Sequence, residues 1–185
     1  MKYFSFLLLC LCCACVAPQF KSVQVNTYKE ERKIAVNVST IEVKSTVETF
    51  ERLPHIEDEM PITPENALKK WVLNRFYARD EASKVRLNVI IEKAYLTKID
   101  DKMPQWYMFD NEKYTLTYAL KFVFKKENQV LYTYYIEGYE TSSLPKRSSI
   151  SAKEAVFEKM LNAMIYKVDE EALEQLPKRF IESGY

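Results

Sequence analysis

Tyr114-Thr115-Leu116-Thr117-Tyr118-Ala119-Leu120-Lys121-Phe122-Val123-Phe124-Lys125 is the stretch whose reading decides the fold. Its large apolar side chains, Tyr114, Leu116, Tyr118, Leu120, Phe122 and Phe124, recur at every second residue, with Thr115, Thr117 and Lys121 between them. A period of two sends alternate side chains to opposite faces, so this is a strand with one covered face and one wet face. Sheets covered on one side only are antiparallel or mixed, because all-parallel sheets are buried on both.

Toward the C-terminus, Lys126 to Gln129 is a turn, with Asn128 suited to the left-handed conformation. Val130 to Thr141 is the hairpin partner and is aromatic on both faces. Its Tyr132, Tyr134, Tyr135 and Tyr139 cannot all reach the core, so the outward ones read either as amphipathic tyrosines on a half-wet sheet or as a docking surface or strand-accepting edge. Toward the N-terminus, Asp100 to Lys113 reads as a loop with an apolar centre that includes Trp106, Tyr107, Met108 and Phe109. Aromatic side chains with methionine on a loop bury large areas at small entropic cost, which suits a partner contact. The competing reading folds the same loop back to cap the core. Before the loop, Lys84 to Ile99 is a strand: Val85, Leu87, Val89 and Ile91 point one way, Arg86, Asn88 and Glu92 the other.

Two helices complete the pattern. Thr63-Pro64 supplies a hydroxyl N-cap and a proline at the first helical position, and Ala67, Leu68, Trp71, Val72 and Phe76 make the apolar stripe. Asp80 to Ser83 ends that helix. Ser151-Ala152-Lys153-Glu154 reads as a capping box opening a second helix. Phe157, Leu161, Met164, Ile165 and Val168 form its stripe, and it runs to about Gln175 before Pro177 stops it. Lys33 to Lys44 is the first strand, with Ile34, Val36 and Val38 inward. Ile41 and Val43 continue on the opposite parity, so a bulge is expected near Thr40. Prolines keep Leu53 to Pro64 extended.

The expected order is β-α-β-β-β-α: an α+β two-layer sandwich, with a four-stranded mixed sheet and both helices on its covered face. The first strand, first helix and second strand read as a right-handed crossover, and the last three strands as an antiparallel meander.

The N-terminus, MKYFSFLLLCLCCACVAP, holds all 4 cysteines of the chain. One lysine, a short apolar run and small residues with cysteine are the three parts of a secretory leader. The run is too short to span a membrane, which takes about 20 apolar residues. Leu11-Cys12-Cys13-Ala14-Cys15 resembles the lipobox of bacterial lipoproteins, in which a small residue precedes the cysteine that is acylated. The resemblance implies lipidation at Cys15, with Cys13 as the alternative; Cys12 departs from the pattern by standing where leucine is preferred. A plain secretory signal, cut after Ala17, would put Pro18 next to the scissile bond. Two or more acyl chains give a stable membrane anchor, where one does not. In the lipoproteins that this leader resembles, Val16 rather than aspartate after the acylated cysteine implies the outer membrane facing the periplasm over retention at the inner membrane. The expected organisation is a leader over residues 1–14, an acylated N-terminus and tether over 15–32, one α+β domain over 33–176, and a frayed tail over 177–185.

Composition excludes several functions. The chain has 27 Lys and Arg against 26 Asp and Glu, so no basic field exists to hold nucleic acid. With the leader removed and Cys15 acylated, no thiol remains for a disulfide or a sulfur-rich zinc site. With only 2 glycines, the chain lacks the Gly-rich loops that cradle phosphates. His55, the 1 histidine, sits between prolines and reads as a loop residue. Glu57, Asp58 and Glu59 lack calcium-loop spacing and read as a solvated run, as do Asp100 and Asp101. There is no G-x-S-x-G nucleophile elbow.

Pro54-x-Ile56-Glu57-x-x-Met60-Pro61-x-Thr63-Pro64-x-x-Ala67-Leu68-x-x-Trp71 resembles a motif of uncharacterised small alphaproteobacterial lipoproteins; the segments Phe109 to Tyr114 and Ser148 to Leu161 are similar to that family too. The element order separately resembles the sandwich of outer-membrane assembly and transport-auxiliary lipoproteins. These resemblances imply a membrane-anchored, non-enzymatic envelope lipoprotein, an accessory or interaction subunit of an envelope assembly or transport complex. They imply an envelope protein partner and no nucleic acid, metal or cofactor. The alternative expectation is a periplasmic lipoprotein that binds lipid or a small apolar ligand between helices and sheet. A hydrolase would need a concave cluster of titratable groups.

Overall fold

The computed structural model describes residues 33–48, 53–101 and 110–181. Within them run β1 (Ile34–Val36), β2 (Thr40–Ser45), α1 (Pro64–Arg75), β3 (Phe76–Ala78), β4 (Val85–Asp101), β5 (Asn111–Lys126), β6 (Gln129–Pro145) and α2 (Ile150–Gln175), with short 3-10 turns at Glu57–Glu59 and Lys178–Phe180. The main sheet has the order β2-β4-β5-β6; β2 lies parallel to β4 and the other pairs are antiparallel. It is the expected α+β arrangement with a four-stranded mixed sheet.

The alternation on β5 builds the core as its sequence implies. Tyr114, Leu116, Leu120, Phe122 and Phe124 are completely buried on one face. Both helices pack there: Trp71 of α1 meets Phe122 edge-on at 6.4 Å, and Phe157 of α2 meets Tyr114 at 5.2 Å. Phe122 also stacks on Tyr134 of β6 at 4.5 Å, so rings fill the space between the layers. On β4, a bulge between Ile91 and Lys93 shifts the buried set from Leu87, Val89 and Ile91 to Ala94 and Leu96. A strand of this length thereby keeps its apolar side chains inward while it twists.

β2 ends opposite Ile91, and the proline-rich connection then covers the rest of the β4 edge. Ile56 N donates to Leu96 O at 3.0 Å and Lys98 N to Pro54 O at 2.7 Å, with His55 bridged to Thr97 between them. An edge that would invite a foreign strand is closed by the chain itself.

Five local expectations are corrected. The first strand is two strands: Asn37 to Ser39 bend, Ser39 N and Oγ both donate to Val85 O (2.8 and 3.0 Å), and the chain crosses into the main sheet. The parity switch at Thr40 is therefore a change of sheet and not a bulge; β1 pairs with β3 instead. Thr63 does cap α1, accepting from Asn66 N at 3.3 Å, but the helix stops at Arg75. Phe76 to Ala78 then takes sheet bonds with Ile34 to Val36, which outcompete further helical turns. The second helix begins two residues earlier than expected, at Ile150, because Ser149 and not Ser151 is the cap; its Oγ accepts from Ala152 N at 3.2 Å. In the β5–β6 turn it is Glu127, with φ 53°, that is left-handed, since Lys126 pairs directly with Gln129 and leaves a two-residue loop. Finally, the start of the tail is not frayed. Phe180 stacks on Phe124 at 4.2 Å, Asn37 N donates to Phe180 O at 2.8 Å, and Ile181 bridges Val36. Two apolar side chains reach core contacts there, and that burial outweighs end-fraying.

Candidate functional site

β6 carries the sequence Glu137-Gly138-Tyr139-Glu140, and Gly138 is paired with Tyr118 of β5. A Cβ at position 138 would lie 2.5 Å from Tyr118 Oη and 2.7 Å from Cζ. The tyrosine ring thus takes the place of a side chain on its neighbour, and only glycine allows the approach. Tyr118 as a residue is 3% exposed, and its hydroxyl lies at the cleft wall, where it makes no hydrogen bond to the described residues. Burial pushes that hydroxyl up to about 12, and the charges of Glu140 and Glu171 add to the shift.

The hydroxyl faces an open cleft of about 840 Å³ between β6 and the later turns of α2. Lys167, Glu170, Glu171 and Glu174 lie three or four residues apart, so helical geometry puts them on one side of α2. Glu137 and Glu140 line the opposite wall. One cation spans the cleft, Lys167 Nζ to Glu140 Oε1 at 2.7 Å. Burial raises the pKa of Glu171 above the ordinary carboxylate range; the Gln175 amide, donating at 2.8 Å, pulls it back, while Glu174 and Glu137 raise it further. Among the described residues no group of three or more His, Cys, Asp or Glu side chains is placed to hold a metal ion. The carboxylates form a spaced anionic wall rather than a chelate.

A second charged cluster sits elsewhere on the sheet and has a different character. Glu112 of β5, 6% exposed, accepts from Tyr114 Oη at 2.5 Å and pairs with Lys153 Nζ at 3.1 Å, with Lys98 Nζ at 3.9 Å. Burial pushes Glu112 up, but the Tyr114, Lys153 and Lys98 contacts together pull it below its ordinary value. Each charge there is answered, and the cluster ties α2 to the sheet beside a cleft of about 360 Å³ lined by Glu59, Ile150 and Phe157.

Cys15, its alternative Cys13, and Trp106, Tyr107, Met108 and Phe109 lie outside the described residues. Of the four tyrosines, Tyr134 is buried against Phe122 and Tyr132 is partly buried, while Tyr135 and Tyr139 are exposed. Tyr139 stands at the cleft, and Tyr135 lies under Lys121 Nζ at 5.2 Å. His55 is packed edge-on against Tyr95 at 5.1 Å and belongs to the edge covering. Sequence reasoning missed Tyr118, Gly138 and the five carboxylates. The available signal was a glycine inside an aromatic strand, which marks a close approach, together with the acidic run after Val168.

No protein-family model matches the chain, and no curated protein does. Among solved structures the chain is similar to an uncharacterized lipoprotein B from Nitrosomonas europaea (13% identity, 82% of this chain and 95% of that one, TM-score 0.44). A neuraminyllactose-binding hemagglutinin homolog from Helicobacter pylori matches at 12% identity, 82% and 93% coverage and TM-score 0.43. The rare lipoprotein B from Shewanella oneidensis matches at 14% identity, 73% and 94% coverage and TM-score 0.38. At these identities and TM-scores none of the three assigns a function.

Proposed function

We propose that this chain is a bacterial envelope lipoprotein, held by an acylated Cys15 on the outer membrane facing the periplasm. Its domain works by docking, as an accessory or interaction subunit of an envelope assembly or transport complex, and not by catalysis. The observation that carries the docking reading is where the described domain keeps its free space. Trp71, Phe76, Phe122 and Tyr134 fill the region between helices and sheet, whereas the cleft beside β6 opens outward and is polar. A carrier for lipid or another apolar ligand would need roughly 300 Å³ or more of apolar space, whereas the second cleft, about 360 Å³, is lined mainly by Glu59, Ser148, Lys153 and Glu154. The anchor rests on Ala14-Cys15 at the end of a leader too short to span.

Two measurements test this reading. Metabolic labelling with an alkynyl palmitate should mark the wild type and not Cys15→Ala; undiminished labelling of the variant refutes the choice of cysteine. Crosslinking from membranes should recover a defined set of envelope partners, diminished by the Trp106→Ala, Phe109→Ala double variant if that loop is the contact. Identical recovery removes the loop from the reading.

A further inference from the structure

The cleft beside β6 has two walls of different chemistry, and together they specify an occupant. One wall is the outer edge of β6, with which no strand pairs among the described residues. Residues of both parities, Gly138 and Glu140 on one side of the strand and Glu137 and Tyr139 on the other, line the cleft. Successive residues point to opposite faces, so a cleft that meets both runs along the backbone edge itself. The other wall is the carboxylate row of α2, and five carboxylates in the cleft face a single ammonium that Glu140 already engages. The Tyr118 hydroxyl, which makes no hydrogen bond to the described residues, lines the same space beside Gly138. A hydroxyl on the cleft wall offers a ligand group both a donor and an acceptor.

We propose that β6 and α2 together receive an extended basic segment of a partner protein. Its backbone pairs with the β6 edge, and its lysine or arginine side chains reach Glu170, Glu171 and Glu174. A divalent cation does not fit, because the carboxylates do not converge as a metal site. A free polyamine would satisfy the charges and leave the strand edge unused. A segment alternating basic and small apolar residues uses both walls, since every second side chain faces α2.

This proposal rests on the docking reading above, and its test is independent of the anchor. The full chain, purified in a mild nonionic detergent, is titrated with a fluorescein-labelled nonapeptide alternating lysine and valine, and binding is read by anisotropy. Saturable binding is expected, weakening about tenfold or more between 50 and 500 mM NaCl as screening shortens from roughly 14 to 4 Å. A Glu170→Gln, Glu174→Gln double variant, changed at two exposed helix positions, should bind roughly tenfold more weakly with an unaltered circular dichroism spectrum. Tyr118→Phe, which keeps the ring, should weaken binding severalfold. The same peptide N-methylated at alternate residues, and its glutamate–valine counterpart, should not bind. Equal binding of the N-methylated peptide, or displacement by spermine at equal charge concentration, overturns the proposal in favour of charge capture alone. Wild-type affinity in the double variant or in Tyr118→Phe also overturns it. Undiminished labelling of Cys15→Ala would refute the choice of cysteine and leave this titration standing; failure of the peptide to bind refutes the proposed occupant and leaves the anchor standing.

Discussion

Replacing Asp169 by alanine tests whether one buried carboxylate latches the two helices together. Asp169 of α2 is 7% exposed and accepts three bonds from α1: Trp71 Nε1 at 3.0 Å, Arg75 Nε at 2.8 Å and Arg75 Nη2 at 3.1 Å. Arg75 is itself 9% exposed, so both charges have left water. The mutual attraction of such a pair is large and so is the desolvation it offsets, which makes the intact pair close to neutral against an apolar replacement. Removing one member is different, because the other charge stays buried and loses the bonds of the pair. That costs about 3–5 kcal/mol, and stranding the Trp71 N–H adds ~1 kcal/mol. Asp169→Ala should therefore lose about 4–6 kcal/mol, a fall in Tm of roughly 10–20 °C at about 2–4 °C per kcal/mol for a chain of this size. Arg75→Met should lose about 3–5 kcal/mol for the mirror-image reason. The double variant Arg75→Met, Asp169→Leu should return to within about 2 kcal/mol of wild type, since no charge is left behind. Urea unfolding followed by far-ultraviolet circular dichroism, with Asp169→Leu as the second single variant, measures all four corners of the cycle. The singles should keep their losses in high salt, because a buried pair is little screened. Additive losses in the double variant, or a cost below ~1 kcal/mol for Asp169→Ala, would refute the latch.

Three further outcomes are expected. Gly138→Ala places a methyl 2.5 Å from Tyr118 Oη, so it should lose about 1–3 kcal/mol by overpacking in urea titrations; a neutral or stabilising result would show that Tyr118 yields freely. Tyr134→Phe removes a buried hydroxyl that has no hydrogen-bond partner among the described residues, so it should raise stability by about 1 kcal/mol, and a loss would mean the hydroxyl is satisfied. Glu112→Gln concerns a carboxylate whose folded pKa lies below its ordinary value, so its contribution is present above about pH 4.3 and lost as pH falls through the folded pKa. The variant should be less stable at pH 7 by about 1.5–3 kcal/mol and should show a shallower fall in stability below pH ~4 than wild type; parallel acid limbs would contradict this.

The layers were legible in the sequence because they follow from alternation alone. Tyr114 to Phe124 and Val85 to Ile91 each carry a period of two long enough to name the covered face, and the stripes Ala67-Leu68-Trp71-Val72 and Phe157-Leu161-Met164 carry the helical period. The departures are places where a distant partner decides. Phe76 to Ala78 has a helical stripe position at its start, and it became a strand because Ile34 to Val36 offered it a parallel neighbour. Phe180 and Ile181 look like a polar tail's last apolar residues until Phe124 and Val36 meet them. The cap at Ser149 rather than Ser151 is a choice between two hydroxyls two residues apart, settled by which one reaches Ala152 N.

The site was illegible for a related reason. Gly138 within an aromatic strand and the acidic end of α2 are separated by some thirty residues, and each has an ordinary local explanation. Only the register of β5 against β6 puts Tyr118 opposite Gly138, and only the packing of α2 beside β6 turns a solvated helical row into the wall of a cleft. The same topology gives β6 an outer edge of seventeen residues, where β4 has its own edge covered by the proline-rich connection. A protein that closes one edge and borders the other with carboxylates has made its second edge selective. Like charges repel acidic strands from it, uncharged strands gain nothing from α2, and a basic strand gains from both walls.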